Sequence, residues 1–548
     1  MLRYLFTTVL SIILINTIIA QEPIIEWGSE HEPFTDKSYE SEVLGTIDGN
    51  LFVLAKNPLL GSDPSIFSGH DLLKYSAEGE LVYHSYVKPN PGTTINHMDL
   101  IGTVIISDRI YNIKTNFVKA SQKTTVIVES IDTETGEPNG DDKKLFSIKA
   151  LKYMNSGTFQ VKLSPDKSKM VVLAEHVFNK KEAQKITLAV YETATWTEIW
   201  AEDKTMSYMG KRVQQHEVFV DNNGSAYLYK PVKLGKGLFD HFLFSRTNSG
   251  SWEETKLDFS ENSLREMVFR FNNQQDFLVI GSLSEDKFET HGYFYLNRFS
   301  AANGKLEYKN SVRLPKLESI STCDRTIEIG KVDRMALPKS FSLDDVILKK
   351  TGGYFMLLEG KNVDKTSRTI NEKRFKDYTY NYCDLLVLSF NAQGEVDWHQ
   401  VISKKQVTKT TQPDVSFIDE EFYNDFGSYV YAEKGNRLFI LYNNTAIERT
   451  ELRGGKYQYV LRKGPEGQTL SKDNFGPKAL YGTFLHVIEP DGSMRYQNEY
   501  GLPLTKMHQA SSFEMAVSPH LFYMDEGKLW LMKKMESGKR IRVGGMKL

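Results

Sequence analysis

The residues able to do chemistry in this sequence are thinly spread. Its twelve histidines form no His-Glu-x-x-His pair and no other pair at metal-ligand spacing. No Gly-x-Ser-x-Gly turn presents a serine nucleophile. His70 precedes Asp71 and His399 follows Trp398, but both histidines read as residues on a strand surface. Cys323 and Cys383 are the only cysteines, 60 residues apart, and neither lies in a Cys-x-x-Cys motif. In an oxidising compartment they could pair, or they could remain separate thiols. These patterns assign no catalytic residue, no metal ligand and no cofactor. Paired carboxylates from distant segments, as glycosidases use, leave no linear signature. A carbohydrate-active enzyme therefore stands as an alternative reading.

Binding chemistry is more concentrated. The segment KNVDKTSRTINEKRFKDYTYNY (361–382) mixes cations with aromatics. Arg368, Arg374, Phe375, Tyr378 and Tyr380 could present a surface to a protein partner or a glycan, since Arg and aromatic side chains supply most binding hot spots. The competing reading is a long hairpin whose Tyr378, Tyr380 and Tyr382 pack on a sheet. DVSFIDEEFYND (414–425) is acidic. Its Asp419, Glu420 and neighbouring Tyr423 could join a binding surface, and its carboxylates could hold calcium. The EF-hand spacing is missing, which favours a solvated acidic loop. Residues 449–481 carry seven Lys or Arg against three acids and read as a solvated basic hairpin.

The elements that must position these segments are strands. Runs of five to eight Tyr, Phe, Val, Ile and Thr are cut by Gly, Asn, Asp and Pro, the punctuation of strands and tight turns. ENSLREMVFRF (261–271) is the best helical pattern and can equally enter a strand. Two hairpin types alternate. The first is a turn followed by a strongly apolar strand, as in SPDKSKMVVLA (164–174), TGGYFMLLE (351–359) and EKGNRLFILY (433–442). It recurs eight times. The second places a glycine four residues before an aromatic: Gly79 and Tyr83, Gly304 and Tyr308, Gly394 and Trp398, Gly492 and Tyr496. The glycine permits a turn that needs a positive backbone angle, and the aromatic is expected to land on the partner strand, on one face, and cover the edge of the hydrophobic layer.

Seven second hairpins are complete and the eighth is split. RIRVGGMKL (540–548) ends the chain without a following strand, whereas EPIIEWGSE (22–30) opens the mature chain with Ile25 and Trp27 spaced like Val396 and Trp398. The pattern predicts an all-β fold, a single eight-bladed β-propeller of four-stranded antiparallel blades over residues 21–548. The first strand is expected to complete the last blade and so close the ring. Residues 1–20, MLRYLFTTVLSIILINTIIA, have the layout of a secretory signal peptide. Export to the periplasm or outside the cell is expected, with no membrane insertion after cleavage. The chain's formal net charge of −2 offers no electrostatic footprint for nucleic acid.

DLLVLSFNAQGEVDWHQVI (384–402) resembles the repeat of quinoprotein-type (PQQ-like) propellers, where a turn glycine precedes a strand tryptophan by four residues. LSPDKSKMVVL (163–173) is similar to the hairpin of WD-repeat-like propellers of bacterial periplasmic proteins. The resemblance implies a structural role for the motif. It also points to the non-enzymatic branch, whose members assemble other proteins in the bacterial envelope. The Lys-, Asn- and Tyr-rich style resembles exported proteins of Bacteroidota-type bacteria. In such blades, with strands lettered a to d, the a–b and c–d turns share one face, and the b–c and d–a loops share the other. The long excursions, 316–341, 360–382, 404–427 and 443–480, are all of the b–c or d–a class. The sequence thus points to a binding scaffold for a protein or cell-envelope component, using one face of blades 5–7.

Overall fold

A computed structural model of the chain describes residues 25–32, 39–57, 69–87, 96–150, 152, 157–176, 182–209, 216–235, 238–259, 262–284, 290–317, 320–321, 326–327, 336–370, 373–404, 406–413, 427–445, 447–452, 456–461, 480–495, 502–503, 508–509, 521–525, 527–535 and 540–548. Every regular element among them is a strand. The region read as a signal peptide and the acidic stretch holding Asp419, Glu420 and Tyr423 lie outside the described residues, as does Tyr496.

Eight antiparallel blades built on four strands follow one another along the chain; six are four-stranded sheets, and the sheets of blades 6 and 7 gain one and two further strands. Blades 1 to 8 span 39–87, 96–149, 158–209, 217–257, 263–313, 341–402, 429–495 and 522–547, the last completed by 25–27. The fold is an eight-bladed β-propeller. The N-terminal strand Ile25–Trp27 pairs with Arg540–Lys547, setting Ile25 opposite Met546 and Trp27 opposite Gly544. Each blade is nevertheless a separate sheet, and none closes on itself. The helical candidate around 263–271 is strand a of blade 5, Ser263–Phe271.

Burial explains the composition. Strand b lies between neighbouring blades and is apolar on both sides: Phe277–Ser284 is buried at every position. The outer strand d alternates, as in Leu306–Arg313, because only one of its faces meets a neighbour. Apolar clusters join consecutive blades. Leu357, Leu385 and Val387 of blade 6 pack on Ile440 and Tyr442 of blade 7. Leu51, Val53 and Leu73 of blade 1 pack on Trp530, Ile541 and Val543 of blade 8. The first strands of neighbouring blades also approach one another, blade 1 meeting both blade 2 and blade 8, so the a strands form the inner layer.

The aromatics of the glycine–aromatic repeat pack at the margin of the apolar clusters and meet the facing strand of their own hairpin, with Arg298 over Tyr308 and Lys74 over Tyr83. They also do something the sequence did not suggest. Each reaches the c–d turn of the next blade. The Tyr83 hydroxyl of blade 1 donates to Thr133 O in blade 2 at 3.2 Å. Tyr308 of blade 5 donates to Gln393 O in blade 6 at 2.8 Å. Trp398 Nε1 of blade 6 donates to Pro490 O in blade 7 at 3.0 Å. The receiving turn needs its glycine twice over. Gly492 has φ +85°, and a Cβ there would lie 2.7 Å from the Trp398 ring. Gly79 receives blade 8 in the same way, since its Cβ would lie 2.3 Å from Val543 O and Ser29 N donates to Glu80 Oε1 at 2.9 Å. Trp27 ends the N-terminal strand two residues before Ser29. Turn and aromatic are thus halves of a clamp between blades.

Candidate functional site

The 360–382 excursion is a projecting β-arm. Strand b of blade 6 runs without a break over Tyr354–Ile370, and strand c returns over Lys373–Phe390. Strand a stops opposite Gly360. Beyond it, Gln406–Pro413 joins the far side of strand c, from Tyr382 opposite Gln406 to Phe375 opposite Pro413. The arm therefore has three strands, the third supplied by the 404–427 excursion. The 443–480 excursion likewise contains a hairpin, Ile447–Leu452 with Lys456–Leu461, and 316–341 a short one, Ile320–Ser321 with Thr326–Ile327.

The arm sorts the residues that the sequence singled out. Tyr378 and Tyr380 are 5% and 2% exposed. Their rings stack on each other at 6.2 Å, and Lys365 lies over Tyr378. Of the two readings the sequence offered, burial bears out the packed hairpin and corrects the open aromatic surface: the two rings share one face of the arm, as strand alternation requires. Phe375 is half-buried and Arg374 exposed. Arg368 is exposed and pairs with Asp377 at 2.7 Å. The exposed row is residues 363–370 on the outer strand. It includes Val363 and Ile370, two of four large exposed hydrophobics among the described residues.

A buried charge network lies at the foot of the arm. Glu359, in strand b, and Lys404, just after strand d, both have fully buried side chains and form an ion pair. Ser428 Oγ donates to Glu359 Oε2 at 2.7 Å, and Lys404 Nζ donates to Gln406 Oε1 at 3.1 Å. Lys361 bridges Asp344 at 2.6 Å and Glu359 at 3.3 Å. Burial raises the Asp344 carboxyl to about 6, with Lys361 pulling it down and Glu359 pushing it up. Burial likewise lowers the Lys404 ammonium, opposed by Glu359. Gln406 begins the third arm strand and fastens Ser428, accepting from its N–H at 2.9 Å and donating to its carbonyl at 3.0 Å. The network ties strand b, the arm and the start of blade 7 into one unit. Cys383 beside it is disulfide-bonded. Its only possible partner in the chain, Cys323, lies outside the described residues.

The same device recurs between other blades. Glu175, at the end of strand b of blade 3, accepts from His216 N at 3.0 Å and its Nδ1 at 2.8 Å. His216 immediately precedes strand a of blade 4. Buried Lys230 approaches His216 at 3.3 Å, and desolvation lowers its ammonium to about 8. In blade 5, His291 donates from Nε2 to Phe341 O, the start of blade 6, at 2.7 Å, with Ser282 on its Nδ1 at 2.8 Å. These titratable groups fasten one blade to the next.

The axis-side carboxylates are equally committed. Asp345 of blade 6 bonds both Arg270 of blade 5 and Tyr431 of blade 7. Glu266 accepts from Leu343 N, and burial raises its carboxyl. Asp345 and Glu266 are thus each held by a structural partner. Among the described residues no group of three His, Cys, Asp or Glu is placed to hold a metal ion, and no helix is long and apolar enough to cross a membrane.

Sequence reasoning missed Asp344, Glu359, Lys361 and Lys404. A signal was present. An acid ends two apolar b-strand runs in the same way, Tyr-Phe-Met-Leu-Leu-Glu to Glu359 and Met-Val-Val-Leu-Ala-Glu to Glu175.

Fold and site together define an eight-bladed β-propeller carrying a three-stranded arm. Several solved propellers resemble it. The propeller domain of the Trilobed protease from Pyrococcus furiosus matches with a TM-score of 0.33 and 10% identity, over 75% of this chain and 90% of that one. The WD40 domain of SCAP from fission yeast matches at 0.34 and 7%, over 95% and 98%. BamB from Moraxella catarrhalis matches at 0.25 and 12%, over 76% and 96%. Of the acylaminoacyl and prolyl oligopeptidase chains it matches, this chain spans 55–58%. No protein-family model matches the sequence, and no characterised protein matches it by sequence.

Proposed function

We propose that this chain is an exported propeller scaffold that holds a protein or cell-envelope partner on the b–c/d–a face of blades 5–7. The observation that carries this reading is the arm. Two strands of blade 6 continue past the blade, gain a third strand, and rest on a buried ion-pair network. An element so braced, yet exposed along residues 363–370, presents a pre-ordered surface, which lowers the ordering cost of binding. Export is read from residues 1–20. The disulfide at Cys383 supports it, because such bonds persist in oxidising compartments.

The glycan reading needed Tyr378 and Tyr380 on an open groove, and their burial removes its support. The enzyme reading needs carboxylates at liberty to act, whereas Asp345, Asp344, Glu359 and Glu266 are bonded to Arg270, Lys361, Lys404 and the backbone. The test is a crosslinking pull-down from envelope extract with the mature chain. It is compared with a variant in which residues 363–380 are replaced by a two-residue turn joining Asn362 and Asn381, which face each other across the ladder. Capture should be lost while the unfolding midpoint stays unchanged. Equal capture by both proteins would refute the localisation.

A further inference from the structure

The arm leaves its blade through two irregularities. The ladder between strands a and b skips a residue at Asp344, between Leu343 opposite Leu358 and Asp345 opposite Leu357. The ladder between strands b and c shifts between Glu359, opposite Leu385, and Lys361, opposite Tyr382. A bulge interrupts regular pairing, bends the strand and re-aims the side chain it carries. The foot of the arm is therefore a hinge, and the buried charges sit on it. Lys361, the first arm residue past Gly360, bridges Asp344 at 2.6 Å and Glu359 at 3.3 Å. Glu359 also holds Lys404. Two carboxylates thus balance two ammoniums. Ser342 Oγ donates to Asp344 at 2.9 Å. Lys404 and the Tyr429 phenol of blade 7 feel the Asp344 charge, and Glu266 of blade 5 attracts Lys361 at longer range.

We propose, on the reading of the arm as the binding surface, that the Asp344–Lys361 pair latches this hinge and that a proton taken up by Asp344 opens it. The arm then loses order in mild acid, and capture on it weakens. Once Asp344 is neutral, Lys361 and Lys404 share the one charge of Glu359. The Lys404 side chain is fully enclosed, whereas that of Lys361 is 36% exposed, so Lys361 is the ammonium that turns to water. Burial raises the Asp344 carboxyl to about 6, against about 3.9 for an aspartate in an unfolded chain. Between those values the folded chain holds a proton that the unfolded chain lacks, so this uptake favours folding. The latch opens without unfolding the blade.

Hydrogen exchange of the mature chain at pH 8 and pH 5 tests it, read as protection factors so that the intrinsic pH dependence cancels. At pH 8 the amides of residues 361–363 and 380–382 should be roughly tenfold better protected in the wild type than in Asp344→Asn, the difference between a charge-assisted and a neutral hydrogen bond. At pH 5 the two proteins should match. Lys361→Met, which has no ammonium to latch, should be equally open at both pH values. Unfolding midpoints confirm that both variants fold. A wild type whose arm is protected alike at pH 8 and pH 5, or a gap between wild type and Asp344→Asn that is the same at both, would overturn the proposal. No partner takes part in this measurement, so it fails independently of the pull-down. An arm that captures nothing still shows the change in exchange, whereas a latch that does not exist leaves capture equal at pH 8 and pH 5.

Discussion

Replacing Glu359 with Gln should destabilise the protein by several kcal/mol, and the loss should shrink at alkaline pH. Glu359 and Lys404 are both fully buried and in direct contact. At about 3 Å and an effective dielectric of about 20, their attraction is about 5 kcal/mol. Glutamine keeps the shape and loses the charge. Lys404 then retains Gln406 Oε1 as its neutral acceptor, and its ammonium has lost its buried counter-charge. Breaking a buried pair from one side costs about 3–5 kcal/mol. Lys404 already has a lowered ammonium, with burial the largest cause and Glu359 opposing it. Without Glu359 it falls further, so the folded variant prefers neutral lysine. Stability lost at neutral pH is then regained as pH rises towards lysine's ordinary value of about 10.4. Urea unfolding at pH 7 and pH 9, with the slope unchanged, reads both effects. The double variant Glu359→Leu/Lys404→Met should lie near wild type. A loss below about 1 kcal/mol at pH 7, or an equal loss at both pH values, would refute the picture of a dry, mutually dependent pair.

Two other outcomes follow from the same reasoning. Gly492→Ala should cost clearly more than Gly435→Ala. Both glycines have positive φ, +85° and +65°, but a Cβ meets the Trp398 ring at 2.7 Å in the first and nothing within 4 Å in the second. The left-handed backbone alone accounts for about 1–2 kcal/mol, and the excess at Gly492, read by urea midpoint, measures the clamp. Burial lowers His291 and His486 to about 4, so the folded state holds them neutral. Their contribution is intact above the unfolded value of about 6.5 and is lost as pH falls towards 4, by about 3 kcal/mol each. Asp344, raised to about 6, works in the opposite direction over part of that range. The difference in acid slope between wild type and His291→Gln therefore isolates the histidine, and identical slopes would show that His291 does not titrate with folding.

The strands were legible because their signals are local. A period of two, a glycine where φ must be positive, and an apolar run bounded by turn residues depend on neighbours within one hairpin. The split eighth hairpin was legible for the same reason, since an incomplete repeat at each end is a counting fact. Three features were not legible, and each joins distant parts of the chain. Trp398 was visible as a repeat residue, but its acceptor, Pro490 O, lies 92 residues on. Tyr378 and Tyr380 carry the composition of a binding surface, and only the packing of the arm shows them covered. Glu359 and Lys404 are unremarkable charges until folding buries them together.

The sequence by itself determined the repeat and the strand order within each blade, because hairpin geometry follows from nearest-neighbour preferences. Only the tertiary structure decided which side chains of the long excursions meet solvent and which charges become mutual partners. Burial and pairing depend on where remote segments come to rest, and no short window of sequence records that.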